Sequence, residues 1–240
     1  MTDTTSSGPS TLVIDIGGTG LKMITIDGGG APLNERAREL TPRPATPKAV
    51  LEVLTQMLAA QPPSARVSVG FPGVVVRGKV VTAPNLGTKA WAGFDLHGAL
   101  AEVTERPVHV INDAELQGYG VIEGRGVELV LTLGTGMGAG LYTDGVLVPN
   151  LELGHHPLRK GKSYEERISN AALQRIGKKK WNVRLQQVLA QLEPIFNYDH
   201  LYLGGGNAKK IRFDLPPKVS TFTNVEGLRG GLRLWQFAKR

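Results

Sequence analysis

The stretch Thr11-Leu12-Val13-Ile14-Asp15-Ile16-Gly17-Gly18-Thr19-Gly20-Leu21-Lys22-Met23-Ile24-Thr25-Ile26 decides the fold. In the commoner nucleotide motifs a glycine turn opens a helix whose N-terminus holds the phosphate. Here strand patterning runs from Thr11 to Ile16 and resumes at Leu21, so the loop predicts a hairpin. Glycines permit positive φ and remove the Cβ that keeps an anion at a distance, so successive amides can converge on phosphate oxygens. A tight hairpin with no ligand has the same local pattern.

A second copy argues for the ligand. Val127 to Leu133 reads as a strand, Gly134-Thr135-Gly136-Met137-Gly138 as the turn, and Ala139 to Tyr142 as its partner strand. Thr19 and Thr135 add hydroxyl donors. Two such hairpins in one chain predict two alike α/β halves with a cleft between them, and a phosphate-bearing substrate.

The 240 residues suffice for one large or two modest cores. No apolar run approaches a membrane span, and Met1 to Ser10 is polar with no signal-peptide core, so a disordered tail and a cytoplasmic location are expected. With no cysteine, disulfides, thiolate chemistry and sulfur-ligated zinc are excluded. A net charge of +7 favours an anionic partner without choosing between nucleic acid, nucleotide and polyphosphate. The run Lys178-Lys179-Lys180 opens a helical pattern and reads either as a solvated helix start or as an anion contact.

Strands are expected near 11–16, 20–27, 34–40, 66–71, 74–82, 108–111 and 200–203. Helices are expected at 47–60, capped by Thr46, from Asp95 to Val103, at 163–176 and 180–192, and in a final amphipathic stretch with Leu228, Leu232 and Trp235. The first lobe is expected to comprise 11–113 with 226–240, and the second 114–225.

Asn112-Asp113 falls where a buried strand meets a helix. A carboxylate there is held rigidly enough to accept a hydroxyl proton, and a loose phosphoryl-transfer transition state needs mainly that alignment and charge neutralisation. An ordinary helix cap is the competing role for Asp113. Glu152 and His155 suit vicinal hydroxyls, although His155-His156 also raises a metal, for which the spacing offers few ligands. Ser163 and Glu166 fit a capping box, which leaves Glu165 free. Asn85 sits beyond a strand, as a binding amide or a turn residue. Gly204-Gly205-Gly206 leads either to a helix N-terminus at the phosphate end or to a plain connection.

These motifs, in this order, resemble the sugar kinases of the repressor, open-reading-frame and kinase (ROK) family, and within it the polyphosphate glucokinase branch. The resemblance rests on Asp15 to Lys22, Gly70-Phe71-Pro72-Gly73, Ala83-Pro84-Asn85-Leu86, Asn112-Asp113-Ala114, Gly134 to Gly138, Asp144 to His155 and Gly204 to Gly206. It implies an α/β, two-lobed actin-like (ribonuclease H-like) fold whose last helix returns to the first lobe, and a homodimer. It further implies Asp113 as the base on the glucose 6-hydroxyl, with Gly73, Asn85, Asn112, Glu152, His155 and Glu165 at the sugar. At the phosphate end it places Asp15, Gly17, Gly18, Thr19, Gly20, Lys22, Gly134, Thr135, Gly136, Gly138, Gly205 and Gly206.

By the same resemblance the donor is polyphosphate or ATP, with Mg²⁺ carried by the donor phosphates and Asp15. The cysteine-rich zinc motif of many ATP-using relatives is missing, so no zinc is expected. Only residues 1–10 precede the first strand, so the DNA-binding domain of the repressor members, and with it a nucleic-acid partner, is not expected. The alternatives are an ATP-dependent hexose or N-acyl sugar kinase, a sugar-binding sensor without chemistry, and an actin-like filament ATPase, for which the Glu152 and His155 pair has no use.

Overall fold

The computed structural model describes residues 8–223 and 229–237. Residues 1–7 of the expected tail, and Leu228 of the final stretch, lie outside them. Two compact units result: one runs to Gly120 and takes in the C-terminal helix, and the other starts at Val121.

The first unit is built on a five-stranded sheet ordered β3-β2-β1-β4-β7. Its strands are β1 (Thr11–Ile16), β2 (Gly20–Ile26), β3 (Ala37–Leu40), β4 (Arg66–Phe71) and β7 (Val108–Asn112). β1 and β2 form the expected hairpin, while β4 lies parallel beside β1 and β7 parallel beside β4. Leu12, Ile14 and Ile16 alternate onto one face and join a core with Val50, Leu54, Phe71, Trp91 and Leu100. Helices α1 (Pro47–Leu58) and α3 (Leu96–Thr104) contribute to that core, α1 capped by Thr46 with Pro47 at its first turn and α3 capped by Asp95. The expected strand at 74–82 is only a two-residue ladder, β5 (Val75–Val76) with β6 (Lys79–Val80), and a short helix α2 (Thr88–Trp91) was not anticipated.

The opposite face of this sheet carries α4 (Asp113–Tyr119) and the C-terminal helix α7 (Gly230–Phe237). Ser68 Oγ in β4 donates to Gly231 O at 2.6 Å and accepts from Trp235 Nε1 at 2.8 Å. That buried polar exchange ties the end of the chain to the first unit, since an unmade bond at such a site is costly. Because α4 packs on β4 and α7, it belongs to the first unit, and the boundary falls after Gly120 and not after Asp113.

The second unit repeats the topology. Its sheet is ordered β10-β9-β8-β13-β14, with strands β8 (Val127–Leu133), β9 (Met137–Thr143), β10 (Val146–Val148), β13 (His200–Gly204) and β14 (Val219–Thr221). β8 and β9 are the hairpin, β10 an antiparallel edge on β9, β13 a parallel neighbour of β8, and β14 a parallel neighbour of β13. Between them lie β11 (Pro157–Arg159), β12 (Lys162–Ser163), α5 (Tyr164–Ile168) and α6 (Asn170–Phe196). The helix expected at 163–176 is interrupted at Ser169, which ends α5 in an extended conformation. Gly177, at φ 77°, divides α6, so the helix after it begins at Lys178. Buried Trp181 anchors this layer, its Nε1 donating to Ile168 O at 2.8 Å. Among the described residues no helix is long and apolar enough to cross a membrane.

Candidate functional site

In the first unit the hairpin turn occupies Gly17 to Thr19, and Gly20 already opens β2. The Gly17 amide closes the turn on Gly20 O at 3.1 Å. Its carbonyls are held from the side: Gly17 O accepts from Thr41 Oγ1 at 2.6 Å and Gly18 O from the Arg43 guanidinium at 2.7 Å. The amides of Gly18 and Thr19 meet no acceptor among the described residues, and the Thr19 side chain is exposed. Tied carbonyls with open amides form a concavity suited to an anion.

Asp15 Oδ2 and Lys22 Nζ pair at 2.7 Å across the base of this hairpin. Asn85 lies against the turn, for a Cβ on Gly18 would strike the Asn85 side chain.

Asn112 and Asp113 divide the two roles weighed for them. Asn112 is the helix cap: its Oδ1 accepts from the Ala114 and Glu115 amides, and Glu115 returns a bond to the Asn112 amide. Its Nδ2 donates to Gly73 O at 3.2 Å, which fixes the Gly73 loop beside the helix start. The capping role is thus filled, and half-buried Asp113 is the first helical residue, with Oδ1 accepting from the Ala114 amide at 2.9 Å.

In the second unit the loop between paired residues is one residue shorter, Gly134 to Gly136 between Leu133 and Met137 against Gly17 to Gly20 between Ile16 and Leu21. Gly138, expected in the turn, instead pairs with Thr132 inside the ladder. Gly134 O accepts from the Asn170 amide at 2.8 Å and from Asn207 Nδ2 at 3.3 Å. The Thr135 and Gly136 amides find no acceptor among the described residues, and Thr135 is exposed. The two turns therefore share one arrangement built by different neighbours.

Positive φ is not its basis: Gly17, Gly18, Gly20, Gly134 and Gly136 all lie outside the left-handed region, so the missing Cβ is what these glycines contribute. A Cβ on Gly136 would meet the Glu165 carboxylate.

Glu165 is accordingly not free. Its Oε2 accepts from the Met137 amide at 3.0 Å, at the exit of the turn. The expected Ser163–Glu166 capping box is present. Glu152 Oε2 and His155 Nε2 stand 3.3 Å apart, and Gly154 between them abuts Met137 O, which brings the pair to the same turn. The Glu152 carboxyl is pushed above the ordinary value of 4.5 by burial; the His155 ring opposes the shift and the Glu165 charge adds to it.

Gly205 has φ 81° and no room for a Cβ beneath Leu133 O, while Gly206 is exposed. The glycine run leads to a single 3₁₀ turn, Ala208–Lys210, not to an α-helix. Its contact with the second glycine turn is made by Asn207, whose amide donates to Leu133 O at 2.9 Å. Thr41, Arg43, Asn170 and Asn207 were missed as turn supports. The Thr41-Pro42-Arg43-Pro44 run and an Asn directly after three glycines are the signals that could have found them.

Among the described residues no three His, Asp or Glu side chains gather as a metal cage. The first turn offers one carboxylate, Asp15. That set does not suit a metal held by protein alone, but fits Mg²⁺ carried by donor phosphates, which needs only one or two carboxylates.

The sequence profile described as "ROK family" matches residues 11–188. The polyphosphate glucokinase of Mycobacterium tuberculosis (strain CDC 1551 / Oshkosh) is 33% identical over 207 residues, covering 82% of this chain and 77% of that protein. The crystal structure of the inorganic polyphosphate/ATP-glucomannokinase from Arthrobacter sp. strain KM superposes with a TM-score of 0.82 at 35% identity, over 97% of this chain and 99% of that one. A ROK family glucokinase from Streptomyces griseus, solved with glucose and AMPPNP, shares the fold at 20% identity, with a TM-score of 0.74 over 94% and 98% of the two chains. The two-lobed α/β fold is thus that of the actin-like sugar kinases, and the chain belongs to the ROK family.

Proposed function

We propose that this protein is a glucokinase that moves a phosphoryl group from inorganic polyphosphate, or from ATP, to the 6-hydroxyl of glucose. The observation that carries the reading is the pair of glycine hairpins whose carbonyls are tied down and whose amides are open. A sugar sensor has no use for two of them. The identities to the mycobacterial and Arthrobacter proteins support polyphosphate as donor.

Asp113 takes the hydroxyl proton as oxygen attacks phosphorus, and the departing phosphate carries the charge away. Asn112 positions Asp113 by capping the helix it starts and holds the Gly73 loop. Glu152, His155 and Asn85 bind sugar hydroxyls, with Glu165 fixing the second turn beside them. The amides of Gly18, Thr19, Thr135 and Gly136, with the two threonine hydroxyls and Lys22, hold the donor oxygens. Asp15 would hold a Mg²⁺ carried by the donor phosphates, and such an ion would supply neutralisation of phosphate charge. We further assign a homodimer in the cytoplasm and no structural zinc.

The test is a panel of polyphosphate and ATP as donors against glucose, mannose and N-acetylmannosamine. Phosphorylation of glucose from polyphosphate is expected. Turnover with ATP alone, independent of salt, would remove the polymer, and preference for the acetylated sugar would favour an N-acyl sugar kinase.

A further inference from the structure

Beyond the second phosphate turn the chain holds a basic groove to which the chemistry above gives no task. Lys178 and Lys179, just after the break at Gly177, line it together with Asn182, Val183, Gln186, Arg212 and Phe213. Its volume is about 470 Å³, and no carboxylate lines it.

The groove is a built feature. Asn182 is buried, and its Nδ2 donates to Lys178 O at 2.8 Å and to Lys210 O at 3.1 Å, while its Oδ1 accepts from the Arg212 amide at 2.7 Å. One side chain thus clamps two basic segments together. The Arg212 guanidinium is itself steadied by Lys209 O at 3.0 Å and by Ile211 O.

Cations held this close repel one another. The Lys178 ammonium lies below the ordinary lysine value through loss of solvent and the Arg212 and Lys210 charges. Among the described residues Lys178, Lys179, Lys210 and Arg212 make no ion pair. A bound anion relieves such a cluster, and several cations in a row favour a polymeric one through counterion release.

One short stretch of chain joins the groove's surroundings to the second turn. Asn207, bonded to Leu133 O and Gly134 O, is separated from Lys210 by the single turn Ala208–Lys210, which rises about 2 Å per residue.

We propose that the groove of Lys178, Lys179 and Arg212, with Lys210 beside it, binds the distal part of a polyphosphate donor, whose reacting end lies at the Gly134–Gly136 turn. The proposal rests on the polyphosphate reading above. A chain too short to reach from the turn gains nothing from the groove, and ATP gains nothing either, so the groove selects for polymer length.

The experiment compares wild type with Lys178→Gln/Lys210→Gln and with Lys178→Arg/Lys210→Arg on long-chain polyphosphate, tripolyphosphate and ATP, over a salt series, with thermal melts as a check on folding. The glutamine pair should lose about tenfold in kcat/KM on the long chain and less than about twofold on the two short donors, and its salt slope should flatten by about one to two. The arginine pair should keep wild-type selectivity. Equal losses on all three donors, or none on the long chain, would overturn the groove assignment while leaving the kinase reading intact. A wild type inert with every polyphosphate would overturn both.

Discussion

Asp15 and Lys22 face each other across the first hairpin as register partners, carboxylate to ammonium 2.7 Å apart, one residue pair back from the turn. Each is about one-third exposed, so the pair is a weak source of stability and a strong source of local charge order. Lys22→Met should therefore change unfolding free energy by less than about 1 kcal/mol. It should lower kcat/KM for the donor by about 10- to 100-fold, as expected for a lost phosphate contact. Steady-state kinetics with a denaturant titration separates the two effects.

Glu165 and Gly136 are coupled by space. Gly136→Ala places a methyl group against the Glu165 carboxylate and should displace it from the Met137 amide. Breaking that bond costs about 1–3 kcal/mol when the donor stays dry. In a double-mutant cycle, Gly136→Ala in a Glu165→Ala background should cost less than in wild type, because the clash has gone. Additive losses would show that the two do not meet.

The Glu152 carboxyl, raised by burial and by Glu165, gives the pH dependence a sign. A raised carboxyl binds its proton more tightly folded than unfolded, so its contribution to stability is full below 4.5 and is lost as pH rises through the raised value. Glu152→Gln should remove that fall from the stability–pH curve. Sugar binding runs the other way, because only the ionised acid accepts two hydroxyls. The KM for glucose should rise on acidification from an inflection above 4.5, and Glu165→Gln, which removes a like charge, should move the inflection down.

A buried acid outside the site sets the stability of the second unit's first strand. Glu128 accepts from the Glu123, Gly124 and Arg125 amides at 2.6, 2.7 and 3.2 Å and from the Tyr202 hydroxyl at 3.0 Å; burial first, and then this bond, push that phenol well above its ordinary range. Glu128→Ala strands four donors and should cost about 3–5 kcal/mol, measured by denaturant unfolding, with donor and sugar KM values little changed.

Glu128 also marks where sequence reading stops. Between Val127 and Leu129 an acid reads as the solvent face of a strand, and only the fold shows the loop that wraps it. Both hairpins, the caps at Thr46, Asp95 and Ser163, and the helix break before the lysine run were legible because they depend on neighbours within a few residues. Glu165 was misread as free and Arg43 was missed because their partners, Met137 and Gly18, are distant in the chain and accept or donate through the backbone, which leaves no mark on residue type. The ladder at 75–80 is shorter than expected because only Val75 with Val80 and Val76 with Lys79 pair around the Arg77-Gly78 turn, although Val75 and Val80 reach the core.

The assignment of Asp113 as base is tested most directly by Asp113→Asn, which keeps the side chain's size and leaves the Asn112 cap in place. Glucose affinity by calorimetry should stay within about threefold of wild type, while kcat with polyphosphate falls by about 10²–10⁴. Turnover within tenfold of wild type, at unchanged glucose affinity, would contradict the account.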